Sequence, residues 1–237
     1  MPKSKLFTIS QVTILTFPSI TFSAPAVSLT SPESNTVREQ GNLNSTLQGS
    51  TSRNSTYVPI SSYKFQLSVD GGAWSDLDTQ SLSPSGGSFT NFSSNGGGNA
   101  NSNQIQFRVA VTDSYTTTYA YYAINFKLLI FYGASATAPT DSSSVRDLPY
   151  RQFYDAGSPF ILNTGTSYLN FSVCMSNTNS LTQVLDLDAL NANITSNYVQ
   201  SNFNVNNYGG SAKSYKNYTM TNAVTYSSSH RHQITYS

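Results

Sequence analysis

Between Ile105 and Tyr132 the chain reads IQFRVAVTDSYTTTYAYYAINFKLLIFY, and no other stretch limits the possible folds as strongly. Ile105, Phe107, Val109 and Val111 alternate with Gln106, Arg108, Ala110 and Thr112. That period of two belongs to a strand with one buried and one wet face. A second alternation places Tyr122, Ile124 and Phe126 on one face and Tyr121, Ala123 and Asn125 on the other. Between them, Asp113-Ser-Tyr-Thr-Thr-Thr is polar, and Asp and Ser side chains bond nearby backbone and stabilise turns, so the pair is expected to close as a hairpin. From Leu128 to Tyr132 the alternation stops and every residue is apolar or aromatic. Both faces there need cover, from a second domain or from another copy of the chain.

The rest of the 237 residues fits the same class. There are 16 tyrosines and 13 phenylalanines among polar positions filled by Ser, Thr, Asn and Gly, the mixture of short strands and polar loops, so the chain is expected to be all-β. Charged residues are only 10% of the chain and the net charge is +1, which leaves no electrostatic footprint for nucleic acid. No apolar run reaches the roughly 20 residues of a membrane helix, so no membrane insertion is expected. The single cysteine, Cys174, rules out an internal disulfide framework and reads as a small apolar residue buried in a strand.

Residues 1–26 alternate β-formers with Thr and Ser around Pro18 and read as an extended arm of the working protein, suited to docking on a neighbour, the alternative being a simple first strand of the next domain. Ser81 to Asn103, rich in Gly, Ser and Asn, reads as a long mobile surface loop. Asp70-Gly71-Gly72 supplies the positive backbone angles of a tight turn after Tyr63–Val69. Trp74, the only tryptophan, is expected to pack in the core against that turn. Val27-Ser-Leu-Thr-Ser-Pro32, Glu39-Gln-Gly41, Ser68–Trp74 and the hairpin from Ile105 to Phe126 together resemble an immunoglobulin-like module of the kind found in phage virion proteins and bacterial surface proteins. The resemblance implies a β-sandwich over residues 27–132. It departs from such modules in carrying Thr116 and Thr117 where a glycine is usual, and in lacking a cysteine pair.

Gly133 to Ser144 is small and polar, and residues 133–147 read as a linker. Beyond it, residues 148–237 are again rich in β-formers. Leu181–Leu190 fits either a strand or a short helix. Phe160-Ile-Leu162, a strand ending near Met175, Val184-Leu-Asp186, Tyr215-Lys-Asn-Tyr218 and a last strand reaching the C-terminus resemble the distal domain of some phage tail-fibre and appendage proteins. That resemblance implies a virion surface protein whose outer β-sandwich meets a host receptor or a neighbouring structural protein.

Residues able to do chemistry are few. His230 and His232 lie two apart on one face of a strand, and in a three-fold assembly the pair would be presented three times, enough for a transition ion. The alternative is a strand face that happens to carry two histidines, and no metal or other cofactor is assigned. Asp186 and Asp188 read as solvated or turn-forming carboxylates. No Gly-x-Ser-x-Gly, phosphate loop or dinucleotide fingerprint occurs, so no catalytic residue is assigned and the protein is read as no enzyme. Tyr119, Tyr121, Tyr122, Tyr132, Tyr150, Tyr154, Tyr215, Tyr218 and Tyr226 exceed what a core needs, and tyrosine favours interfaces.

These readings converge on a structural virion protein of a bacteriophage, a tail, fibre or capsid-decoration appendage assembled in the bacterial host cytoplasm. The expected partners are other copies of the chain, as a homotrimer, other virion structural proteins, and a host glycan or protein. The alternative is a bacterial carbohydrate-binding adhesin module on the same fold.

Overall fold

The computed structural model describes residues 22–32, 36–54, 57–80, 86–94, 101–155, 158–166, 170–221 and 228–237. Most of the expected arm, residues 1–21, lies outside the described residues. The first half contributes β1 (Ala26–Thr30), β2 (Val37–Glu39), β3 (Ser45–Ser52), β4 (Ile60–Val69), β5 (Ser75–Gln80), β6 (Gly86–Ser94), β7 (Gln104–Asp113) and β8 (Thr117–Lys127). They form a three-stranded sheet in the order β1-β3-β6 and a five-stranded sheet in the order β2-β8-β7-β4-β5. Leu29 and Leu47 of the small sheet meet Tyr63, Phe65, Ile105, Phe107, Val109 and Ile124 of the large one in a single core. This is a sandwich, and its inner faces are the ones the alternation selects.

The β7–β8 hairpin closes where the sequence places it. The Asp113 carboxylate accepts the backbone N–H groups of Tyr115 and Thr116, each at 2.8 Å. That side-chain cap does what a glycine does in other hairpins, which explains how Thr116 and Thr117 are tolerated. At the β4–β5 turn Asp70 and Gly71 both have positive φ, 50° and 75°.

Two expectations fail here. Within Ser81 to Asn103, Gly86–Ser94 is a strand antiparallel to β3, while residues 81–85 and 95–100 lie outside the described residues. An edge strand is held by backbone hydrogen bonds and needs little apolar surface of its own. Its first residue must be glycine: Gly86 has φ +94°, and a Cβ there would overlap the Thr51 carbonyl. Trp74 is not in the core either. It lies half-buried on the outer face of the five-stranded sheet, because the turn places it before β5 with its ring toward Arg108 and Tyr121.

The second half contributes β9 (Leu129–Ser135), α1 (Ser142–Arg146), β10 (Tyr150–Phe153), β11 (Phe160–Asn163), β12 (Asn170–Ser176), β13 (Leu181–Asp186), β14 (Ala192–Asn193), β15 (Val199–Asn206), β16 (Ala212–Thr221) and β17 (Arg231–Tyr236). Its sheets run β10-β9-β12-β16-β15 and β11-β17-β13-β14, and they enclose Ile130, Leu162, Phe171, Val173, Met175, Val184 and Ile234. The ambiguous stretch from Leu181 is therefore a strand, ended by a turn in which Leu190 and Asn191 take φ of 55° and 58°.

The residues expected as a linker are structured. Gly133–Ser135 complete β9, and residues 142–146 form α1. Small residues here serve close packing: a Cβ on Gly133 would overlap the Pro149 ring. Asp141 and Ser144 form a capping box that starts the helix. The chain thus passes from β8 to β9 through Leu128 alone. The apolar run is covered from within the molecule, with Ile130 in the sandwich core and Leu129 and Phe131 under α1 beside Val145, Leu148, Cys174 and Val205. No second copy is needed to bury it.

Beyond Leu128 the two halves are joined by side-chain and backbone contacts. Arg146 forks onto Glu39, Nη1 to Oε1 at 2.6 Å and Nη2 to Oε2 at 3.1 Å, and lies 5.4 Å from the Phe131 ring centroid. The Tyr208 amide donates to the Gln40 carbonyl, and Gly41, at φ +94°, comes so close to Gly209 that a Cβ would overlap its backbone nitrogen. A bidentate pair holds orientation as well as distance.

Candidate functional site

Two places concentrate polar and aromatic side chains in geometries that go beyond packing. The first is the outer face of the five-stranded sheet. Hairpin register sets Arg108 of β7 opposite Tyr121 of β8, and β4 sets Gln66 opposite both Arg108 and Asp76 of β5. One cross-strand row therefore reads Asp76, Gln66, Arg108, Tyr121. Arg108 Nε donates to Gln66 Oε1 at 2.7 Å, and Gln66 Nε2 donates to Asp76 Oδ1 at 2.7 Å. Lys64 Nζ pairs with Asp76 Oδ2 at 2.9 Å, and these hydrogen bonds, from Lys64 first and then Gln66, hold the Asp76 carboxyl below the usual carboxylate range. The Arg108 guanidinium lies 4.1 Å from the Trp74 ring centroid and 4.6 Å from that of Tyr119. A cation this close to two rings gains quadrupole attraction from both. Tyr119 is 41% exposed and Tyr121 56%.

The second place joins β13 and β17. Asp186 is buried, and its Oδ2 meets His230 Nδ1 at 2.8 Å and His232 Nε2 at 3.8 Å. His232, fully buried, shares a hydrogen bond of 2.8 Å between Nδ1 and the Tyr198 hydroxyl, and packs edge-on to Phe171. Burial pushes the His232 imidazole down to about 4, against an opposing pull from Asp186. Asp188 forms a fork with Arg231 and accepts its backbone N–H, and those bonds hold its carboxyl at about 2.

Several sequence expectations change on this geometry. The two histidines do share a face, but that face is internal, so His232 is not presented to a three-fold axis. Among the described residues no group of three or more His, Cys, Asp or Glu is placed to hold a metal ion. Asp186 is buried rather than solvated, and its Oδ1 accepts the Asp188 backbone N–H at 3.1 Å, so it is the turn-forming carboxylate; Asp188 is paired with Arg231. Cys174 is fully buried in β12, and burial pushes its thiol up to about 12, which keeps it protonated and inert.

The tyrosines divide by location. Tyr215 and Tyr218 are buried, Tyr122, Tyr132 and Tyr154 pack on the cores, Tyr119, Tyr121 and Tyr150 are exposed, and Tyr226 lies outside the described residues. Trp74 and Arg108, absent from the sequence candidates, are half-buried at the centre of the outer-face cluster. The missed signal was the hairpin register: a turn closed between Asp113 and Thr117 sets Arg108 against Tyr121, on the face opposite Ile105 and Ile124. No protein-family model matches this chain, and no curated protein matches it in sequence.

Proposed function

We propose that this chain is a non-catalytic attachment subunit, a virion appendage component that binds a surface with one face and other copies of itself or its particle with others. The observation that carries the reading is the union of the two sandwiches. Leu128 is the whole connection between β8 and β9, and the Arg146–Glu39 fork and the Gly41–Gly209 approach close the joint. Modules that act independently are usually separated by flexible polar segments. A directly spliced pair is suited to a part that must transmit position from a particle to the surface it contacts. The all-β build and the resemblances to phage appendage modules support the same reading.

Assembly as a homotrimer belongs to this proposal, because multivalent contact raises effective affinity by orders of magnitude without any new interaction. Its contact must lie elsewhere than Leu129–Phe131, which face the interior. Light scattering over a concentration series of the purified full chain tests it. A stable oligomer is expected. A monomer at every concentration overturns the subunit reading and favours the second one, a bacterial adhesin module, which the cluster of Trp74, Arg108 and the exposed Tyr119 and Tyr121 supports because such a cluster works without assembly.

A further inference from the structure

We propose that the outer face of the five-stranded sheet binds a saccharide that carries carboxylate groups, with Arg108 as the carboxylate receptor. The inference rests on the attachment reading only in assigning the chain a surface to contact, and it names the ligand class and the residues.

Arg108 is built as a receptor. Its Nε is committed to Gln66, and its guanidinium lies within 4.6 Å of two aromatic ring centroids, those of Trp74 and Tyr119. Among the described residues its Nη groups make no hydrogen bond. A guanidinium whose Nη groups have no hydrogen-bond partner among the described residues matches a carboxylate in a bidentate fork, which an ammonium cannot do. Charge on the face has the matching sign. Asp76 is neutralised by Lys64, so Arg108 is the charge that a ligand meets at the centre of the row.

The neighbours supply the rest of a sugar site. Sugar rings offer C–H faces that stack on aromatic rings and hydroxyls that bond amides and carboxylates. Tyr121 and Tyr119 present half-exposed rings 6.1 Å apart, and Trp74 lies 6.0 Å from Tyr121. Gln66 and Asp76 continue the row with amide and carboxylate groups. Three inter-strand steps of ~4.8 Å make the row about 14 Å long, room for an oligosaccharide rather than a single sugar. Bracing the sheet would require Arg108 between Trp74 and Tyr119 but not Tyr121, whose ring is more than half exposed.

Trp74 is the chain's only tryptophan, so all tryptophan emission comes from this face. The test titrates the full chain with oligogalacturonate, a sialylated oligosaccharide, a neutral oligosaccharide of equal length and a sulfated dextran, following emission and, in parallel, heat of binding. The expected result is a saturable response to oligogalacturonate or to the sialylated sugar, the two arms separating uronic from sialic carboxylates. Arg108→Lys and Tyr121→Ala should each weaken it by about tenfold or more, with the urea midpoint of Tyr121→Ala close to wild type. Silence in both readouts with both carboxylated sugars overturns the proposal. So does an equal response to the neutral or sulfated ligand, or an affinity that neither substitution changes. A monomer in light scattering leaves this result standing, and silence here leaves the assembly reading standing.

Discussion

Acidification from pH 6.5 to about 4 is expected to remove about 3 kcal/mol, at most, from the stability of the C-terminal sandwich through His232 alone. The direction follows from the buried imidazole. Its folded pKa, about 4, lies below the ordinary 6.5, so above pH 6.5 the ring is neutral in both states and carries no penalty. Between the two values the unfolded chain takes up a proton that the folded chain refuses, and stability falls as pH falls. Below about 4 both states are protonated and the loss is complete. The groups acting on the ring are Asp186 and, less strongly, Asp188, which favour its charged form, His230, which opposes it, and the Tyr198 hydroxyl. The Asp188–Arg231 pair adds a separate loss at lower pH, as Asp188 protonates between 3.8 and about 2. Urea unfolding at pH 7.5, 5.5 and 4 measures the first window. In His232→Leu the chain should be weaker at pH 7.5, because the buried hydrogen bond between the Tyr198 hydroxyl and the ring is lost, yet flatter with pH. A wild-type midpoint that does not move between pH 7.5 and 4, or a variant with the wild-type slope, contradicts the placement of His232.

Leu129→Asp is expected to unfold the C-terminal sandwich, at about 4 kcal/mol or more. Leu129 is 6% exposed and lies in the apolar layer that joins β9 to α1, with Phe131, Val145 and Leu148 around it. A carboxylate there has no partner and no water, so the layer must open. Had the run from Leu128 to Tyr132 been a subunit contact, the same change would release folded monomers. Circular dichroism and a melting curve separate the outcomes. Loss of the cooperative transition fits an internal Leu129, and a stable, well-folded monomer contradicts it.

Strand content and the inner faces were legible because alternation states which residues share a face. Ile105, Phe107, Val109 and Val111 are all fully buried, and Asp70-Gly71 makes the turn its composition demands. Alternation is silent about what covers the second face of an apolar run. Leu129 and Phe131 needed α1, whose residues carry no apolar stripe beyond Val145 and are recognisable only by the Asp141–Ser144 capping box. Small residues misled in a consistent way. Gly133 and Gly86 mark places where backbone or a proline ring comes too close for a side chain, and composition alone reads such positions as flexible. The outer-face site was half legible: Arg108 and Tyr121 sit on the polar faces of their strands, but the position of Trp74 depends on how the chain leaves the Asp70–Gly72 turn. Asp186 could not be placed at all from local sequence, since its partners lie 44 and 46 residues further along, on β17 and just before it.

The claim on which the attachment reading stands is that the two sandwiches behave as one body. Scanning calorimetry of the wild-type chain at neutral pH tests it most directly. One cooperative transition is expected, with calorimetric and van't Hoff enthalpies in agreement, and with the transition splitting in Gly41→Ala, where the new methyl group forces Gly209 away. Two separate transitions in the wild type, unaltered by Gly41→Ala, would contradict the account, because the halves would then be independent modules that merely touch.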